Sequence, residues 1–89
     1  MIRKRVTICN KLGLHARAAA KFVTLAAQFT SDIQLARGRQ QVSGKSIMGV
    51  MMLAASQGTR LVIIAHGMDA RAAVQKLTEL IERRFDEAE

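Results

Sequence analysis

Gly13-Leu14-His15-Ala16-Arg17-Ala18-Ala19-Ala20-Lys21-Phe22-Val23-Thr24-Leu25-Ala26-Ala27-Gln28-Phe29 reads as a flexible turn, an N-cap position and then a helix. From Ala16 to Phe29 there is no Gly or Pro, and apolar residues at Ala19, Phe22, Val23, Ala26 and Phe29 recur at helical spacing. His15 falls at the N-cap position, so the N–H groups of Ala16, Arg17 and Ala18 are predicted to lack intrahelical partners. Free donors at the positive end of a helix dipole attract anions; they disfavour imidazolium and stabilise a phosphate on or beside the ring. His15 is therefore expected to be neutral and nucleophilic around neutral pH. Arg17 adds a planar fork of donors suited to phosphate oxygens.

Outward from this stretch the chain alternates strands and helices. Before it, Ile2, Val6 and Ile8 alternate with Arg3, Arg5 and Thr7, as in a half-buried strand. After it, Ile33 and Leu35 mark a second strand, Arg37-Gly38-Arg39 a hairpin turn, and Gln40 to Val42 a third strand. A short helix is predicted from Ser46 to about Ala54, a turn at Gln57-Gly58, a strand from Arg60 to His66, and a last helix from about Asp69 to Phe85. The final acidic residues, Asp86-Glu87-Ala88-Glu89, are expected to fray. The order βαββαβα is compatible with an antiparallel sheet covered on one face by helices. Leu61, Ile63 and Ala65 would face those helices, with Val62 and Ile64 on the open face.

The short helix has two unlike faces. Ser46, Val50, Leu53 and Ala54 share one; Ile47, Met48, Met51 and Met52 share the other. Only one can be core. The second is the kind of flexible, polarizable apolar patch that docks several partners, and the outward side of the first helix, with Arg17, Ala20, Lys21, Thr24 and Gln28, would extend it. Ser46 is placed to cap the short helix through its hydroxyl.

The 89 residues make one domain, 1–89, too small for a deep catalytic cavity, so a surface site is expected. One Cys excludes an intramolecular disulfide. The apolar run from Ile47 to Ala55 is far short of the roughly 20 residues that span a bilayer, and no apolar h-region follows the basic Met1-Ile2-Arg3-Lys4-Arg5. A cytoplasmic protein without a membrane partner is the expectation. Two His and one Cys lack metal-ligand spacing, so no metal is expected; Cys9 reads as structural and His66 as a surface residue. The formal charge of +7 admits a rival class, a small nucleic-acid-binding domain. Against it, there is no Trp or Tyr, and Phe22, Phe29 and Phe85 all fall at helical positions rather than on a base-stacking sheet. Positive charge is equally suited to steering onto acidic protein surfaces. A ligand-sensing module would need a pocket that the sequence does not announce.

Gly13-Leu14-His15-Ala16-Arg17 resembles the phosphorylation-site motif of the HPr family, histidine-containing phosphocarriers of the bacterial phosphoenolpyruvate-dependent phosphotransferase system. Gly44-Lys45-Ser46-Ile47-Met48-Gly49-Val50-Met51-Met52-Leu53 resembles the segment of that family that carries a regulatory serine. Both motifs fall at the family's spacing, and the resemblance covers essentially the whole chain. It implies an α+β fold, an HPr-like open-faced β-sandwich whose four-stranded antiparallel sheet is covered on one face by three helices. It implies that His15 takes a phosphoryl group from enzyme I on Nδ1 and passes it to an enzyme II A-type acceptor, with Arg17 stabilising the phosphate. The protein would then be a monomeric carrier rather than an enzyme, with no cofactor and no nucleic-acid partner. Ser46 would be the target of an HPr kinase/phosphorylase, and the short helix would contact partners. One departure stands out: the family usually has Pro after the motif Arg, where this chain has Ala18. Ala keeps the helix but loses the pre-set backbone angle of the first turn. Together with Ile81-Glu82-Arg83-Arg84-Phe85-Asp86-Glu87, it resembles the nitrogen-related branch of the family.

Overall fold

The computed structural model describes residues 1–89. Its elements are β1 (Ile2–Thr7), α1 (Ala16–Ala26), β2 (Asp32–Arg37), β3 (Gln40–Ser43), α2 (Ile47–Met52), β4 (Arg60–His66) and α3 (Ala70–Glu82), followed by a 3₁₀ turn, Arg84–Asp86. The strands lie in the order β1-β4-β2-β3, antiparallel at every pairing, and β4 runs between Val6↔Leu61 on one side and Leu35↔Ile63 on the other. This is the expected α+β open-faced arrangement of four strands and three helices.

Alternation along the strands decides which face is core. Ile33 and Leu35 of β2 and Leu61, Ile63 and Ala65 of β4 are buried under Phe22, Val50, Leu77 and Ile81 from the helices. The opposite parity is not as exposed as expected: Ile64 is buried too. It sits on a central strand with Arg3 opposite on one side and Gln34 on the other, and the aliphatic stems of such long neighbours cover a side chain on an otherwise open face.

All three helices stop earlier than periodicity suggests. α1 ends at Ala26 because the N–H groups of Gln28 and Phe29 turn back to Leu25 and Ala26, three residues away, at 3.1 Å, which tightens the last turn. α3 ends at Glu82, and Phe85 lies beyond it: Arg84, Phe85 and Asp86 all have positive φ, 59°, 53° and 64°. That left-handed turn puts the Phe85 ring fully into the core, beside α1 and α3. α2 is likewise shorter than expected, with Ser46 as its N-cap and Leu53 closing it; Ala54 leaves in a left-handed conformation and is exposed rather than core. Arg37 and Gln40 donate to the carbonyls of Leu53, Ala54 and Met52, satisfying the acceptors this helix end leaves free.

At the far end of α1, Asp69 receives the backbone N–H groups of Thr30 and Ser31, each at 2.9 Å, together with the hydroxyl of Ser31. These donors, the Ser31 hydroxyl first, lower the Asp69 carboxyl to about 2. No helix of the chain is long and apolar enough to cross a membrane.

Candidate functional site

Gly13 fixes the entry to α1. Its φ is +67°, and a Cβ there would run into the backbone of Ala55 and Ser56, so the loop before His15 rests directly on the chain leaving α2. Leu14 locks the same approach by burying its side chain and donating its N–H to Ala55 at 2.8 Å. His15 is the N-cap of α1, with extended backbone angles (φ −71°, ψ 177°), and its carbonyl accepts from Ala19. Its side chain makes no capping bond, so the ring is not spent on the helix end.

One ring nitrogen is engaged. Nε2 meets a carboxylate oxygen of Glu87, and Nδ1 carries no hydrogen bond. The other Glu87 oxygen accepts from Asn10 Nδ2 at 3.0 Å, and the same amide donates to Gly13 O at 2.9 Å. Asn10 is fully buried and its Oδ1 has no partner, so the amide serves this corner at the expense of one unsatisfied acceptor. The Asn10 hydrogen bond, then the His15 contact, hold the Glu87 carboxyl below its ordinary range. Two opposite partial charges therefore face the ring, the positive helix end on one side and the Glu87 carboxylate on the other.

Arg17 is exposed on the first turn of α1, next to His15. Lys11, Leu12, His15, Arg17, Glu87 and Glu89 line a shallow hollow of about 430 Å³ that opens to solvent. On its other side Arg17 borders a second hollow of about 420 Å³, whose walls include Ala20, Lys21, Thr24 and Gln28. Of the side chains expected on this outward face, Lys21 is already tied down: its ammonium donates to Phe85 O at 2.8 Å and lies 3.6 Å from Asp86.

The expected patch on α2 is present. Ile47, Met48, Met51 and Met52 are exposed, Met48 at 72% and Met52 at 65%, while Val50 and Leu53 are buried. Ser46 caps the helix by accepting the Gly49 N–H at 3.0 Å. His66 is exposed at the end of β4, and the Cys9 thiol donates to Ile81 O at 3.2 Å, in a structural contact.

The acidic residues at the end of the chain overturn their expectation. Instead of fraying, they are docked: Asp86 pairs with Arg83, Glu87 with Asn10 and His15, and Lys11 N donates to Glu89 O. Sequence reading missed Asn10 and Glu87. The one available hint was an acidic cluster in a basic chain, and nothing local reveals that a left-handed turn returns it to His15.

Comparison with known proteins agrees with this geometry. Residues 2–83 match the family model described as the PTS HPr component phosphorylation site. The chain is 52% identical over 85 residues to phosphocarrier protein HPr of Pseudomonas aeruginosa, covering 94% of each. It is 41% identical over 87 residues to phosphocarrier protein NPr of Shewanella violacea, covering 98% of this chain and 96% of that one. Among solved structures, an HPr of Thermoanaerobacter tengcongensis superposes with a TM-score of 0.96 at 43% identity over the full length of both chains. A dimeric HPr from the same organism gives 0.79 at 44% identity, covering 98% of this chain and all of that one. The histidine at the head of α1 therefore sits in a known setting, and the chain belongs to the HPr family of phosphocarrier proteins of the phosphotransferase system.

Proposed function

We propose that this phosphocarrier takes its phosphoryl group on Nδ1 of His15 from the phosphohistidine of enzyme I and surrenders it to an enzyme II A-type acceptor. The observation that carries the reading is the ring itself: a half-exposed imidazole at the N-terminus of α1 whose Nε2 is occupied and whose Nδ1 is unbonded. A phosphoryl group on that nitrogen lies within the field of the first helical N–H groups and beside the Arg17 guanidinium. Positioning and charge stabilisation are what phosphoryl transfer asks of a protein, and both are supplied at the surface, where a second protein can reach. The working form in this proposal is a monomer.

The exposed Ile47, Met48, Met51 and Met52, with Ala20, Lys21, Thr24 and Gln28, form the docking face in this proposal, and the net charge of +7 steers acidic partners toward it. Ser46 is the regulatory site. Phosphate there would sit at a helix start, where negative charge is tolerated, yet beside the apolar patch, and would slow transfer at His15. The setting is cytoplasmic, and transfer needs no metal or cofactor in the carrier itself.

Intact mass and phosphosite mapping after incubation with enzyme I, Mg²⁺ and phosphoenolpyruvate test the reading. One acid-labile phosphoryl group on His15, absent from His15→Ala, is the expected result; none on the wild type with competent enzyme I would refute it. Arg17→Ala should slow transfer by about ten- to a hundredfold without unfolding the domain. Incorporation by HPr kinase that survives Ser46→Ala would remove Ser46 from its role.

A further inference from the structure

We infer that Glu87 is a positioning residue for the phosphoryl transfer: its carboxylate holds the His15 ring with the proton on Nε2, keeps Nδ1 bare, and neutralises the positive ring that forms when Nδ1 takes the phosphoryl group. The inference rests on the carrier reading above and adds a residue that the motif around His15 does not contain.

Geometry makes the assignment. A carboxylate only accepts hydrogen bonds, so the ring nitrogen it touches must be the donor, and a neutral imidazole with its proton on Nε2 has its lone pair on Nδ1. The contact spans 72 residues of sequence and is held from behind by Asn10, whose buried amide fixes Glu87 and the Gly13 carbonyl at once. This is the arrangement by which a carboxylate orients a histidine whose other nitrogen does chemistry. Low protonation of Glu87, maintained by the Asn10 amide, keeps it an acceptor over the neutral range.

The step balances without moving a proton. The Nδ1 lone pair forms the new P–N bond as the donor's P–N bond breaks, and that electron pair returns to the donor's ring. His15 keeps its Nε2 proton and so becomes a positively charged phosphoimidazole, with the Glu87 carboxylate already against that proton. On the way out the same contact loses its charge partner as the acceptor's nitrogen attacks phosphorus. The other charged groups around the ring are Lys11, Arg17 and Glu89, which share its hollow. Glu87 touches neither phosphorus nor Nδ1, which is why it positions rather than catalyses.

The test reads ring and equilibrium separately in wild type, Glu87→Gln and Glu87→Ala. In the unphosphorylated protein, nitrogen-15 NMR should show a slowly exchanging His15 Nε2–H in the wild type, lost in Glu87→Gln, whose single oxygen is taken by the buried Asn10 amide so that its NH2 faces the ring, and lost in Glu87→Ala. In phosphoryl exchange with enzyme I, both variants should lie about tenfold further toward the donor than wild type, because both lack the charge. Wild-type equilibria in both variants, or a wild-type ring with no protected Nε2–H, would overturn the inference. A wild type that takes up no phosphoryl group at all would instead refute the carrier reading, and the NMR signal would still decide whether Glu87 orders the ring. The isosteric Gln keeps the test sound should the Ala variant fold poorly.

Discussion

Asp69 and Glu87 perform similar geometric tasks at opposite ends of α1. Each is a carboxylate that reaches across the sequence to hold a loop, Asp69 over Thr30 and Ser31 and Glu87 over Asn10 and His15. They differ in what they hold. The partners of Asp69 are backbone N–H groups and hydroxyls, donors whose charge never changes; one partner of Glu87 is an imidazole that changes charge when it reacts. A carboxylate bound to constant donors serves the fold, whereas one bound to a reactive ring serves the chemistry as well.

The largest expected effect removes the support that both the core and the Glu87 end share. Phe85→Ala should cost about 3–5 kcal/mol in thermal or denaturant unfolding, since the ring is fully buried. It should also free Glu87 before the Asp69 clamp opens, so amide exchange should rise at residues 86–89 while Thr30 and Ser31 stay protected; equal loss at both ends would break the comparison. Gly13→Ala comes next, at about 1–3 kcal/mol for an L side chain forced into φ > 0 against backbone, with transfer slowed because the approach to His15 shifts. Asp69→Asn should have a smaller effect, visible mainly as lost pH dependence. The Asp69 carboxyl is depressed in the fold, so the unfolded chain binds its proton first, and the stabilisation is full above the ordinary carboxyl value of 3.8 and disappears as pH falls toward about 2. Melting curves of wild type and variant should therefore converge over that interval. The smallest stability effect belongs to Glu87→Gln, which should lower the melting temperature at neutral pH only slightly, as a carboxyl depressed in the fold requires, while altering the phosphoryl equilibrium; a drop as large as that of Asp69→Asn would make Glu87 a second Asp69.

Regular elements were legible in the sequence because their signal is periodic and local. β4 has the bounds that alternation between Arg60 and His66 predicts, Ser46 caps α2 as its position suggests, and His15 is the N-cap of α1. The errors cluster where long-range contacts outweigh local preference. Ile64 alternates like an exposed residue, but its position on a central strand surrounds it with covering neighbours. Phe85 continues the apolar rhythm of α3, and burying its ring with α1 is what draws the chain out of the helix. Half of the site was therefore readable: His15 and Arg17 lie in one motif, whereas Asn10 and Glu87 are joined to it only by the fold.

The left-handed turn at Arg84, Phe85 and Asp86 makes the site a question of chirality. Three consecutive L-residues take the mirror-image backbone, at about 1–2 kcal/mol each, with no Gly to ease it. A D-amino acid at Arg84, introduced by chemical ligation, would adopt this turn without that penalty, and Gly would come close. What must be preserved for Glu87 to meet His15 is thus a handedness rather than a set of side chains, and a relative whose sequence shares nothing across these positions could still build the same contact by reversing its twist at the same point.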